Sequence, residues 1–326
     1  MTGKSSAHCT PKSTASQCLA AQSMMKKTIA TLVGTAALMG GFWISPAVAK
    51  DPFRTTNPHA IGDQTEAAFK AIFEVGNYQT AKTALQKAEP NEPLAYGMKA
   101  SLAYMEQDWE ALRDNATRTR VAAEQLVPTD PLRGNLYLAA GHFLEGAYVL
   151  TQQGTVRGTP DALNRLQLVF KYLKEAEKID AKDPELNMIK GFMDLMLAVN
   201  LPFSSPNDAI DRLDKYAGPR YLAYRGIALG YRDLKQEAKA VEFANRALQL
   251  TPGNPDVLYL KAQLLATQGK YQESLEFFKK AMDKKNQLPR KLAAQIGYEE
   301  CMAQGAVDRQ TRDQRHPFCL QKFLQN

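Results

Sequence analysis

The chain has 326 residues, 44% hydrophobic and 23% charged, with a formal net charge of +7. That length can bury a sizeable core in one or two domains or form a solenoid of small units, and the composition excludes a disordered or membrane-embedded class. Four Lys and no acidic residue fall in the first 49 positions, so the rest carries only +3; with no Lys/Arg block interleaved with aromatics, nucleic acid is not an expected partner.

Residues 1–23 are polar and Ser-rich and read as an upstream extension ahead of a working start at Met24 or Met25. Lys26 and Lys27 then form a positive n-region, Thr28 to Ile44 an apolar run, and Ala47-Val48-Ala49 a small-x-small cleavage site. The segment 24–49 is therefore expected to be a secretory signal peptide, leaving a mature chain that begins at Lys50. An uncleaved anchor is the alternative, but Thr31, Gly34, Thr35, Gly40 and Gly41 dilute the run. The expected location is periplasmic or extracellular, with no stable membrane insertion after cleavage. No Cys follows the cleavage site, which argues against a lipid anchor. Cys301 and Cys319 are the only cysteines left beyond the leader, 18 positions apart. In an oxidising compartment they most simply form a disulfide, closing a loop that contributes about 3 kcal/mol; two free thiols remain the alternative.

A linker is expected over 50–61. From about Gly62 apolar residues recur at three and four, the period of amphipathic helices, and no alternating strand run appears. The pairs Asp130-Pro131, Thr159-Pro160, Asp183-Pro184, Ser205-Pro206 and Asn254-Pro255 each place a cap acceptor before a Pro suited to a first helical position, so each reads as a helix start. Gln107-Asp108-Trp109 reads as a turn in a unit that begins near Pro93 and whose second helix runs to about Val127. A third unit has helices from Pro131 to about Gln153 and from Pro160 to Ile179 around a turn at Gly154 to Gly158. A fourth has Pro184 to Val199, a turn at Leu201 to Ser205, and a helix from Asp208 to Tyr216. Residues 288–304 form one more helix, and the tail 305–326 reads as solvated.

The phrase Gly-Asn-Tyr-Gln-Thr-Ala-Lys at Gly76 returns as Gly-Lys-Tyr-Gln-Glu-Ser-Leu at Gly269. At a spacing of 34, Tyr224, Ala228, Tyr231, Ala240, Ala244, Ala247 and Pro252 superpose on Leu258, Ala262, Leu265, Ser274, Phe278, Ala281 and Asn286. This pattern of small and large positions resembles the tetratricopeptide repeat, most closely over 221–286. The resemblance implies an all-α, right-handed superhelical solenoid of antiparallel helix pairs over 62–304, about six pairs long, closed by a C-terminal capping helix. Small residues let paired helices approach, and large ones fill the layer between neighbours.

Catalytic motifs are missing: no HExxH, CxxC, P-loop or GxSxG occurs. His59, His142 and His316 stand singly, and the paired carboxylates Glu299-Glu300 and Asp211/Asp214 fit a solvated helix face. No enzyme activity, cofactor or metal is expected. The resemblance instead implies a protein or peptide partner held on the inner face of the first helix of each pair. Carried over, that face offers Arg225, Leu229 and Arg232 in one unit and Asp256, Tyr259, Gln263 and Ala266 in the next. Arg225 and Arg232, seven apart, share one side of their helix and could fork onto a carboxylate; ordinary solvated arginines are the alternative. Met188, Phe192 and Leu195 mark a Met-rich stripe, either buried packing or an apolar anchor. The expected role is an extracytoplasmic binding or assembly scaffold, with carriage of an apolar small molecule or lipid chain as the second reading.

Overall fold

The computed structural model describes residues 51–200 and 206–324; the upstream extension, the signal-like leader and the turn at 201–205 lie outside the described residues. Among the described residues no β-strand forms, and the helices pair into seven antiparallel hairpins. In chain order these are α1 (Asp63–Phe69, continued by a π-helical turn Lys70–Val75) with α2 (Tyr78–Gln86), and α3 (Pro93–Glu106) with α4 (Trp109–Leu126). The two arms of α5 (Pro131–Ile179) form the third, and α6 (Pro184–Asn200) with α7 (Pro206–Lys215) the fourth. Then come α8 (Arg220–Asp233) with α9 (Glu237–Leu250), α10 (Pro255–Thr267) with α11 (Tyr271–Met282), and α12 (Arg290–Val307) with α13 (Arg312–Phe323).

The caps explain most of the starts. Asp130, Asp183 and Asn254 each accept a backbone N–H of the following first turn, at 3.1, 2.8 and 2.9 Å, and Pro occupies the first position of α5 and α10. Asp108 caps α4 in the same way at 3.0 Å. Thr159-Pro160 does not start a helix: α5 runs through it, and its one non-helical residue is Gly154 at φ 72, ψ 168. The broad turn expected at Gly154 to Gly158 is thus a single-residue reversal, which only a glycine adopts without strain.

The repeat pattern marks the packing layer. Ala228, Ala240, Ala244, Ala247, Ala262, Ser274 and Ala281 are completely buried, and Leu258, Leu265 and Phe278 nearly so. Tyr224 and Tyr231 flank Phe243 with ring centroids 5.8 and 5.6 Å away, so large side chains fill the space that the alanines open.

The C-terminal tail is largely solvent-exposed, as expected, but most of it is helical. Thr311 and Gln314 form a reciprocal capping box that starts α13. Cys301 and Cys319 are disulfide-bonded and pin α13 to α12. Phe323 and Arg315 pack against Gly297 and Gly305 of α12. Hence α12 does cap the last repeat, but it is itself covered.

Hairpin one does not simply begin the stack. In a solenoid each unit touches only its neighbours, yet α1 and α2 meet the start of α8, the start of α10 and the 3-10 turn Lys285–Gln287. α3 likewise meets α12, with Lys291 reaching Gln107. One buried apolar cluster consequently runs from Phe53 to Ala303, and the array is closed into a ring.

Candidate functional site

Successive inner helices bring a polar row together at the C-terminal end. From α10, Tyr259 donates to Glu299 Oε1 at 2.6 Å and Gln263 to Glu299 Oε2 at 2.9 Å; from α12 itself, Gln295 donates to Oε1 at 2.8 Å. Burial, and then the bond to Glu299, pushes the Tyr259 phenol well above its ordinary range. Arg232 of α8 lies near enough for its charge to act on Tyr259 and is itself paired with Asp233 at 3.0 Å. Arg232, Tyr259, Gln263, Gln295, Glu299 and Leu229 are half-buried, and Asp233 is exposed. The row is fixed by its internal hydrogen bonds and keeps one side toward solvent, the condition for recognition without large ordering entropy.

The other inner-face residues are engaged within the chain. Arg225 Nη1 donates to Asp256 Oδ2 at 3.2 Å, and Tyr78 of α2 donates to the same oxygen at 2.7 Å. Arg225 and Arg232 share α8 but not a partner. Asn254 works at two helix ends at once: its Oδ1 accepts from Asp256 and Val257 at the start of α10, while its Nδ2 donates to the carbonyls of Phe73 and Glu74 at 3.0 and 3.1 Å. Those carbonyls end the π-helical turn and have no helical partner of their own. Burial, and then the charge of Glu74, pushes the Tyr221 phenol of α8 upward.

Met188 and Leu195 are buried and Phe192 is half-buried. The Phe192 ring and Leu195 pack on Gly226 and Gly230 of α8, so this stripe joins α6 to α8. An apolar surface that the sequence did not single out lies on the second arm of α5, where Val156, Leu163 and Phe170, spaced by seven, are all exposed and so share one helix side.

The segment expected as a linker is a strap. Arg54 donates to Asp51 at 2.8 Å, Asp183 at 2.7 Å and Glu185 at 3.0 Å. Glu185 also takes Arg133 at 3.1 Å and the Tyr137 hydroxyl at 2.6 Å, and Arg133 continues to Glu92 at 2.8 Å. Four carboxylates thus share two buried guanidinium groups. Burial opposes the charge on Arg54 and Arg133, but the surrounding carboxylates hold both well protonated, while burial pushes the Asp183 carboxyl upward against the pull of Arg54. Phe53 stacks edge-on to Phe69 at 4.8 Å, and His59 bonds Asp130, the α5 cap. A cleft of about 540 Å³ opens between this strap and the starts of α5, α6 and α8. No short sequence signal announces it, because its charges come from positions 51 to 185.

The remaining histidines serve packing. His142 stacks on Tyr172 at 5.6 Å beside Glu145, and His316 accepts from or donates to Tyr298 at 2.7 Å. Among the described residues no cluster of His, Cys, Asp or Glu is arranged to hold a metal, and no helix is long and apolar enough to cross a membrane.

Residues 255–283, which are α10 and α11 with their turn, match the tetratricopeptide repeat family. The match spans one hairpin of the chain. The all-α solenoid of helical hairpins is the fold that the spacing of 34 residues implied. No curated protein matches this chain in sequence. Among solved structures it is similar to PilF of Pseudomonas aeruginosa, at 14% identity and a TM-score of 0.45, covering 72% of this chain and 92% of that one. It is similar also to PilW, a widely conserved type IV pilus biogenesis factor, at 15% identity and a TM-score of 0.45, covering 71% and 93%.

Proposed function

We propose that this chain is an exported, non-enzymatic scaffold that holds a protein or peptide partner on the inner faces of α8, α10 and α12. The observation that carries this reading is the polar row Arg232, Tyr259, Gln263, Gln295 and Glu299, rigid, half-exposed and built on consecutive inner helices. Such a row suits backbone amides and carbonyls of a bound segment, with Arg232 placed for an acidic side chain. Export is supported by the leader read from the sequence and by a cysteine pair within bonding geometry.

Immobilised mature protein should capture a defined set of envelope proteins, and Arg232→Ala/Gln263→Ala should lose at least tenfold of that set at unchanged helicity. An identical set from the double variant would reject the groove. Amino-terminal sequencing of the exported protein should begin at Lys50; any later or uncleaved start would reject the processing step.

A further inference from the structure

We infer that hairpin one is a plug: the chain's own occupant of the inner face, held by a releasable latch, and displaced when a partner enters. The inference rests on the groove reading above and adds a gate to it.

The latch is local and polar. It consists of the turn Glu74 to Tyr78 seated on Tyr221, Arg225, Asn254 and Asp256. Arg225 and Asp256 are inner-face positions by the repeat pattern, contiguous along α8 and α10 with Leu229, Arg232 and Tyr259, and Tyr221 and Asn254 stand at the starts of the same two helices. The occupant presents what such a face would take from a partner: two free backbone carbonyls to an amide, and a hydroxyl to a carboxylate already paired with arginine. Gly76, at φ 73, lies so close to α10 that a Cβ there would stand 2.4 Å from Pro255 Cδ. Complementarity is therefore tight at this one point.

The opposite end of the hairpin is anchored differently. Glu89 accepts from the N–H groups of Gln64 and Thr65 at 2.9 and 3.1 Å and from the Thr65 hydroxyl at 2.7 Å, capping α1 from the Lys87–Glu92 turn. The strap adds a contact at the middle of the segment, where Phe53 packs on Phe69. α1 with its π-helical turn spans 63–75, a lever of about 20 Å, so the latch end can swing while the anchored end stays. Ala228, Ala240 and Ala244 pack with Leu260 and Leu264 in a buried cluster separate from the one that contains hairpin one, so that layer between α8, α9 and α10 does not depend on the latch.

Hydrogen exchange of the full-length mature chain tests the latch without any partner. Gly76→Ala and Gly269→Ala carry the same left-handed backbone penalty, but only the first is wedged against Pro255; Tyr78→Phe removes one latch bond without changing shape. The expected result is at least tenfold faster exchange over 63–86 in Gly76→Ala and Tyr78→Phe, with 109–126 and 290–307 unchanged, and no such effect in Gly269→Ala. Parallel acceleration through every helix, or no change over 63–86, would overturn the separable plug. The same latch variants should then capture at least threefold more of the envelope proteins than the parent chain; equal capture overturns the gate. Loss of capture on Arg232→Ala/Gln263→Ala is read separately and bears on the groove alone.

Discussion

Gly76 and Gly269 occupy equivalent turns with φ 73 and 74, and Tyr78 and Tyr271 follow each at the same distance. Their surroundings differ. Tyr78 is 4% exposed and bonded to Asp256, whereas Tyr271 is 38% exposed; nothing stands within 4 Å of a Cβ at Gly269, while Pro255 blocks one at Gly76. Gly269→Ala should therefore cost about 1 kcal/mol, the left-handed penalty alone, and Gly76→Ala at least about 1 kcal/mol more through overpacking; urea unfolding of both variants measures the difference. At two other hairpin turns the left-handed site holds Gln107 and Lys235, φ 60 and 57. Lys235→Gly should raise stability by about 0.5 kcal/mol, since relief of the backbone strain outweighs the entropy that glycine adds to the unfolded chain. A lower melting temperature for that variant would contradict the strain. The sequence made the turns at Gly76, Gln107 and Gly269 legible but not the one at Lys235, which has neither a glycine nor a side-chain cap; nor could it distinguish the twin phrases, which share Gly, Tyr and Gln and whose neighbours come from residues far away.

Helix lengths were legible where Pro and a cap acceptor coincide, as at Pro131, Pro184 and Pro255. They were less so for α5, where 23 residues precede Gly154 and 25 follow it in arms of about 35 Å, against about 21 Å for the 14 residues of α8. Thr159-Pro160 looks like a helix start in isolation, but the second arm is already helical after Gly154 and runs through Pro160, at the loss of the one backbone bond that Pro cannot donate. The arms are joined across Arg165, Glu145, Arg120 and His142. Burial opposes ionisation of Glu145, yet bonds from His142 and Arg120 and the charge of Arg165 hold its carboxyl below the ordinary 4.5. A depressed carboxylate stabilises the fold fully above its unfolded value and loses that contribution as pH falls through the folded one. Unfolding free energy should thus decline on going from about pH 6 to about pH 3.5, and Glu145→Gln should be less stable at the higher pH with a shallower decline. An identical pH slope in the variant would remove Glu145 from the acid response. α13 was missed because its sequence is polar almost throughout; Cys319 is its buried residue, and the bond to Cys301 rather than apolar periodicity fixes it.

At the scale of the whole molecule, closure changes what the array can do. A linear stack gains stability one interface at a time, but here the strap ties residues 51–59 to α5 and α6 and hairpin one to α8 and α10. The buried charges make that tie all-or-none. Arg133 is 1% exposed and serves both Glu92 and Glu185, so Arg133→Met would leave two buried carboxylates short of a counter-charge. It should cost about 3–5 kcal/mol, read as a lowered urea midpoint with loss of the strap's exchange protection; a variant within about 1 kcal/mol of the parent would show the network to be dispensable.

The sequence by itself determined the local order: helices from a 3.6 period and most starts from caps and prolines; pairing followed from a repeat resemblance at a spacing of 34, and two remaining cysteines made a disulfide the simplest expectation. These follow from interactions between residues close along the chain, or from a pattern that repeats. Only the tertiary structure decided that Arg225 and Asp256 face Tyr78 rather than open solvent, that Phe192 and Leu195 join α6 to α8, and that the leading segment is a strap. Each of those outcomes joins side chains about 30 to 180 positions apart, and such contacts depend on the curvature of the stack, summed from small rotations at every hairpin, which no single repeat encodes.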